Sequence, residues 1–224
     1  MISKLILQTF VWFGVMGALL FLSAGTLNWP GAWLYLVVMV GLSLTLGVSL
    51  ARRDPGLMNE RLRPPIQKNQ TAADKILLSV LLLAIFLWQV LMGFDFRFDW
   101  SAVPIWGQVV GTAVLLIGIW ICYRTMLENS FAAPVVKIQE ERGQHVITTG
   151  PYSYVRHPMY AGATIFFAGT ALLLGSWWGL ASVLVFVVLL AIRTFIEEKT
   201  LRTGLRGYDD YAAKVRYRLV PLVW

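Results

Sequence analysis

The sequence predicts an all-α, polytopic helical integral membrane protein with four transmembrane helices followed by a C-terminal helical hairpin. Of its 224 residues, 58% are hydrophobic and 14% are charged, and the mean hydropathy is +0.66. Four apolar runs, 5–24, 31–50, 76–94 and 104–122, are each about as long as the roughly 20 residues that a helix needs to cross a bilayer. The first is interpreted as a membrane anchor and not as a cleaved signal peptide, because it is long and further spans follow it.

The fifth apolar region, 159–192, predicts the hairpin. At about 1.5 Å per residue it is somewhat short for two complete crossings. The segment from Gly175 to Trp178 interrupts it, because glycine and serine weaken a helix and paired tryptophans favour the membrane interface. Two short helices are therefore predicted, with a single bent helix as the alternative. We divide the chain into N-terminal transmembrane helices (1–123) and a core of loop, hairpin and tail (124–224).

The distribution of basic residues predicts the orientation. If the N-terminus is cytosolic, every lysine and arginine except Arg97 lies on the cytosolic side, as expected for loops that retain basic residues. Both termini are then cytoplasmic. The net charge of +7 is explained by loops beside anionic lipid, and no nucleic-acid partner is expected.

Several other features have structural interpretations. The single cysteine, Cys122, has no disulfide partner and no companion thiols for a metal site, so it is interpreted as a packing residue. Gly107 and Gly111 form a GxxxG pair that permits close helix approach. The 52–74 connector, in which three prolines limit helix length, is interpreted as a solvated loop, with a cover over a site as the alternative.

Polar chemistry concentrates in residues 145–160, HVITTGPYSYVRHPMY, which contain two histidines, one arginine and three tyrosines. Charged groups near a bilayer are costly unless they pair, bind a ligand or reach the interface. Pro158 suits the first turn of a helix, so Arg156 and His157 lie at a helix N-terminus, which favours a bound anion. The Gly150-Pro151 turn brings His145 and Tyr152 towards the same place.

A second group of charges follows at the cytosolic end of the hairpin. Arg193 and Glu197 are four residues apart and share a helix face, so they either form a surface salt bridge or leave Glu197 to bind a ligand's ammonium, hydroxyl or sulfonium group. Beyond Glu198, the tail from residue 204 to 224 is either an amphipathic interfacial helix or a cover for a cofactor pocket. The usual motifs of soluble nucleotide-binding proteins and hydrolases do not occur in the sequence.

The region from about 134 to 221 resembles the isoprenylcysteine carboxyl methyltransferase family of integral membrane methyltransferases. The matching elements are His145-Val-Ile-Thr-Thr-Gly-Pro-Tyr152, Arg156-His157-Pro158-Met159-Tyr160, Arg193, Glu197-Glu198, Leu201, Tyr208, Tyr211 and Pro221. The first 120 residues show little resemblance beyond being membrane helices.

The resemblance implies a cytosolic-face site for S-adenosyl-L-methionine (SAM) and no metal. The implied cofactor-binding residues are Gln139, His145, Val146, Ile147, Thr148, Tyr152, His157, Pro158, Met159, Tyr160 and Glu197. The implied catalytic residues, which would face the methyl acceptor, are Arg193 and Arg156. The acceptor is expected to be lipophilic and to enter from the bilayer, with an isoprenylcysteine carboxylate, a lipid amine and a thiol all open, as is the oligomeric state. An NADPH-dependent sterol-type reductase and a non-enzymatic membrane protein are the alternatives.

Overall fold

The computed structural model describes residues 1–67 and 70–224, and every regular element within these ranges is helical. Lys68, one of the basic residues behind the predicted orientation, lies outside them. The α-helices are α1 (Ile2–Ala24), α2 (Pro30–Arg53), α3 (Pro55–Arg61), α4 (Ala72–Phe98), α5 (Ile105–Glu128), α6 (Pro158–Leu173), α7 (Trp177–Ala181), α8 (Val183–Gly204) and α9 (Tyr208–Lys214). Single 3-10 turns cover Glu140–Arg142 and Gly150–Ser153.

The predicted spans and the hairpin are confirmed. Helices α1, α2, α4 and α5, together with the continuous segment Trp177–Gly204, are long and apolar enough to cross a membrane. Helices α6 and α8 run antiparallel, since Phe167 stacks on Phe186 near the middle of the hairpin and His157 meets Glu198 at its open end. The single bent helix is therefore wrong.

The two arms of the hairpin differ in length. Helix α6 has 16 residues, about 24 Å at 1.5 Å per residue, which is less than the hydrocarbon thickness of about 30 Å. Helix α8 extends to Gly204, beyond the predicted end at residue 192. This extension places Arg193, Glu197 and Glu198 opposite the start of α6, where the site forms.

Helices α5 and α6 pack closely through glycines spaced by seven residues, or about two turns. A Cβ at Gly118 would lie 2.4 Å from the Phe166 nitrogen, and one at Gly169 would lie 2.2 Å from the Leu115 nitrogen. Gly111 takes part in this interface, as predicted for the GxxxG pair. Gly107 does not, because its Cβ would meet Val103 of the preceding connector at 2.6 Å.

Part of the 52–74 connector is a packed helix and not a solvated loop. Pro55 begins α3, where the Asp54 side chain accepts a hydrogen bond from the Leu57 nitrogen at 2.8 Å. Leu57 is fully buried, and the Glu60 carboxylate is 2.6 Å from Lys137 Nζ. Apolar contacts with α1, α2 and the end of α5 anchor α3, and the ion pair joins it to the loop that follows α5.

Candidate functional site

A cavity of about 400 Å³ opens where the start of α6 meets the end of α8, a size within the range of small-molecule sites. Its walls also include parts of α3 and α4, the loop after α5, and α9. All the predicted site residues except Gln139 and Thr148 line it. They are His145, Val146, Ile147, Tyr152, Arg156, His157, Pro158, Met159, Tyr160, Arg193 and Glu197.

His157 caps the start of α6, with Pro158 in the first turn as the sequence predicts. Its Nδ1 lies 3.7 Å from Glu197 Oε2 and its Nε2 lies 3.4 Å from Glu198 Oε1. Burial lowers the pKa of His157, but hydrogen bonds and charges from the two glutamates outweigh burial, so the pKa lies above its ordinary value. The two carboxylates therefore favour the imidazolium form.

Arg156 is buried and anchors the tail. Its Nε donates to Glu198 Oε1 at 2.7 Å, and its Nη1 donates to the backbone oxygens of Val215 and Arg216, both at 2.8 Å. The Arg156 nitrogen also donates to the Tyr217 oxygen at 2.9 Å. The tail is thus fixed beside the cavity, and its short helix α9 places Tyr208 and Tyr211 in the wall.

Arg193 pairs with Asp74 of α4. Its Nε is 3.3 Å from Asp74 Oδ1, its Nη2 donates to the Pro134 oxygen at 2.5 Å, and its guanidinium carbon lies 5.6 Å from the centre of the Tyr160 ring. Glu197 instead accepts a hydrogen bond from the Tyr160 hydroxyl. Among the described residues, Arg193 and Glu197 therefore do not form a simple salt bridge with each other.

Asp74 is a residue that sequence reasoning missed. It is fully buried, and its Oδ2 accepts hydrogen bonds from Gln70 Nε2 at 2.6 Å and from the Val136 nitrogen at 2.9 Å. The available signal was the acidic residue three positions after Thr71, the N-cap of α4. That pattern locates a helix start but does not reveal a partner on α8.

Three tyrosines supply neutral hydroxyl groups to the cavity. Tyr152 accepts from Asn129 Nδ2 at 2.8 Å, and Tyr211 donates to the Tyr152 backbone oxygen at 2.7 Å. The Tyr208 hydroxyl is buried and has no hydrogen-bond partner within residues 1–67 and 70–224. Burial raises the pKa of all three, so they act as donors over a wide pH range.

Gln139 and Thr148 lie away from the cavity wall. Gln139 is buried; its Nε2 donates to the Phe131 oxygen at 2.8 Å, and its Oε1 accepts from Arg142 Nη1 at 2.7 Å. These bonds fix the loop that carries His145. Thr148 is exposed on the outer side of the same loop.

The cavity also has an apolar wall that sequence reasoning interpreted only as membrane span. Leu78, Leu81, Leu82 and Ile85 of α4 share one face at helical spacing and face Phe167 and Leu190 across the cavity. Arg61 of α3 lines the wall as well. The sequence shows the helical spacing of these leucines, but it does not show which residues lie opposite them.

Comparisons with known proteins agree with this architecture. Residues 106–206 match the phospholipid methyltransferase family. The chain is also similar to a solved eukaryotic intramembrane Ras methyltransferase, isoprenylcysteine carboxyl methyltransferase, with a TM-score of 0.58 and 19% sequence identity over 95% of this chain and 74% of that chain. A search of curated proteins gives no significant match. Residues 106–206 are therefore similar to the phospholipid methyltransferases, and the chain as a whole shares the helical membrane fold of the solved methyltransferase.

Proposed function

We propose that the protein transfers a methyl group from SAM to a lipophilic acceptor at the cytosolic membrane face. One observation carries the proposal: a single cavity joins a polar, aromatic end at the start of α6 to an apolar wall from α4, α6 and α8. A methyltransferase of lipids needs both parts, one for a charged cofactor and one for an apolar chain.

The polar end fits the chemistry of SAM. The cofactor carries an ammonium and a sulfonium, which suit the Glu197 carboxylate and the faces of Tyr152 and Tyr160. The buried Tyr208 hydroxyl has no partner among the described residues, and a buried polar group normally has one. His145 to Ile147, Tyr152, His157 to Tyr160 and Glu197 would hold the cofactor, which when bound supplies an activated methyl group on its sulfonium.

The chain's own residues would orient the acceptor and exclude water. Methyl transfer is a displacement at carbon, so alignment of acceptor and donor contributes much of the rate. Arg193, held by Asp74 and the Pro134 oxygen, would orient the acceptor's head group. The tail anchored by Arg156 would keep water out of the reacting centre.

The apolar wall suits the acceptor's hydrocarbon chain. Isoprenylcysteine carboxylates, lipid amines and lipophilic thiols all combine such a chain with a nucleophilic head group, so a screen of these three classes selects among them. We also propose that the cavity faces the cytosol with both termini, since all basic residues but Arg97 lie on that side in the predicted orientation.

Ligand-induced stabilisation of the purified protein in detergent tests the proposal. SAM and S-adenosylhomocysteine should raise the thermal midpoint, because a ligand at 100 times its Kd adds about 2.7 kcal/mol of stability. NADPH should have no effect. A shift with NADPH alone would contradict the proposal and favour a reductase.

A further inference from the structure

Most of the charged side chains in the cavity wall have a counter-ion. The three ion pairs that involve a lysine or an arginine are Lys137–Glu60, Arg156–Glu198 and Arg193–Asp74, at 2.6, 2.7 and 3.3 Å. His157 and Glu197 face one another at 3.7 Å. The wall is thus nearly neutralised, as expected where desolvation makes an unpaired charge costly.

Arg61 is the exception. Its Nη1 donates to the Ala132 oxygen at 2.9 Å and lies 3.9 Å from Met159 Sδ, and within residues 1–67 and 70–224 it forms no ion pair. The two remaining residues, Lys68 and Asn69, carry no carboxylate. Burial lowers the pKa of Arg61, which is the response of a cation whose desolvation is not compensated.

The position of Arg61 adds a second reason to expect an anion. The contact with Met159 brings the guanidinium beside the first turn of α6, and Pro158, Met159 and Tyr160 line the same cavity. The N-terminus of this 16-residue helix carries a partial positive charge that favours an anion. Two independent sources of positive potential therefore meet at one point of the wall.

We infer that Arg61 binds an oxyanion, a carboxylate or a phosphate, of a ligand in the cavity. A guanidinium suits either group through two parallel hydrogen bonds. The inference rests on the proposed function and extends it, because Arg61 lies outside the family-matched residues 106–206. Two sources supply this chemistry: the amino-acid carboxylate of the cofactor, and an acidic head group on the acceptor.

Two binding measurements on the full chain in detergent separate these sources. In the first, calorimetry compares S-adenosylhomocysteine with 5′-methylthioadenosine, which lacks the amino-acid portion. If the cofactor supplies the anion, Arg61→Gln should weaken the binding of S-adenosylhomocysteine about ten- to a hundredfold. The binding of 5′-methylthioadenosine should be unchanged. In the second, thermal shifts compare palmitate and hexadecyl phosphate with hexadecylamine. If the acceptor is the source, Arg61→Gln should abolish the shift from the two anions only.

The control is Arg63→Gln, since Arg63 is 53% exposed and already pairs with Glu60 at 3.0 Å; it should behave as wild type throughout. Weaker ligand binding by Arg61→Gln in either measurement supports the inference. Unchanged binding of both sets of ligands by this variant overturns it. A wild-type protein that binds no S-adenosylhomocysteine contradicts the proposed function, while the amphiphile measurement still decides the role of Arg61.

The Arg61→Gln variant is expected to fold, because glutamine keeps a donor for the Ala132 oxygen. Should this variant nevertheless not fold, Arg61→Lys is expected to weaken the anionic ligands severalfold, and wild-type affinity for them would overturn the inference.

Discussion

At the level of single residues, adjacent glutamates on α8 have different surroundings. Glu198 is buried among Arg156, His157 and Arg218, whereas Glu197 contacts Tyr160 and His157 and reaches the cavity. Consecutive residues on a helix point about 100° apart. The tail therefore depends on Glu198, and Glu197 is the carboxylate that a ligand can meet.

Glu197→Gln should weaken SAM binding, because it removes the charge and keeps the shape. Loss of a charge-assisted hydrogen bond costs on the order of 1.5–3 kcal/mol, or roughly tenfold to a hundredfold in affinity. Calorimetry in detergent measures this directly. The exposed Glu141→Gln is the matched control, and equal affinities for the two variants would remove Glu197 from the cofactor site.

Arg193→Lys should separate acceptor alignment from cofactor binding. Lysine keeps a positive charge beside Asp74, whereas alanine would leave a buried carboxylate unpaired and destabilise the fold by about 3–5 kcal/mol. Lysine lacks the planar guanidinium that can form two parallel hydrogen bonds with a head group. Methyl transfer from labelled SAM into lipid-extractable products should therefore fall roughly tenfold to a hundredfold, while SAM affinity should stay nearly intact. Arg202→Lys, farther along α8, should retain full turnover. Unchanged turnover in Arg193→Lys would show that Arg193 is structural.

The raised pKa of His157 predicts a dependence of stability on pH. Since the pKa in the folded protein lies above the ordinary 6.5, the folded state binds this proton more tightly than the unfolded chain does. The stabilisation is complete below about pH 6.5 and is lost as the pH rises through the raised pKa. The difference in thermal midpoint between wild type and His157→Gln should therefore narrow with rising pH. A midpoint difference for His157→Gln that widens with rising pH would contradict a raised pKa of His157 in the folded protein.

At the level of elements, the α5–α6 contact positions the first turn of α6. The backbones approach closely because glycine leaves no Cβ between them. Through this contact, Met159 and Cys122 lie together, with the Cys122 Sγ 3.5 Å from the Met159 oxygen. Cys122 thus lies at the cavity edge, against the first turn of α6.

Gly169→Ala should destabilise the protein by forcing α5 and α6 apart. The added Cβ would lie 2.2 Å from the Leu115 nitrogen, and overpacking typically costs about 1–3 kcal/mol. Gly14→Ala on α1 is the control, since nothing lies within 4 Å of its Cβ position and alanine favours a helix by about 1 kcal/mol. Thermal unfolding in detergent should show a lower midpoint for the first variant only. Equal midpoints would mean that the interface can relax.

At the scale of the whole molecule, the helices alternate in direction and separate two ends. One end brings Gly25 beside Arg97 and joins the Val103 nitrogen to the Gly175 oxygen at 3.0 Å. The other holds α3, the loop after α5, and the tail. The cavity opens at the second end, where nearly all the basic residues lie. The orientation of the chain in the membrane therefore decides which side the cavity faces.

Cysteine labelling in intact cells should place the two ends on opposite sides of the membrane. In a background in which Cys122 is replaced by alanine, cysteines introduced at Asp210 and His145 should be protected from an impermeant reagent. Cysteines at Arg97 and Leu27 should react. Labelling of position 145 from outside, with position 97 protected, would refute the orientation and the cytosolic cofactor site.

The sequence by itself determined the membrane class, the order of the spans, the hairpin and the concentration of polar groups in 145–160. These depend on local properties: the length of apolar runs, the turn residues at 175–178 and the proline at the start of α6. Most of the candidate site was also predictable, because the motif and the end of α8 lie at either end of one hairpin and its antiparallel arms bring them together.

Only the tertiary structure decided which charges compensate one another. Asp74 opposite Arg193, Glu60 opposite Lys137, and Arg61 beside Met159 each join residues far apart in the sequence. Spacing along one helix limits a side chain to a face and carries no information on what packs against that face. The same reason explains why α3 was interpreted as a connector: its burial depends on apolar residues of α1, α2 and α5, and its Glu60 pairs with Lys137 of the loop after α5.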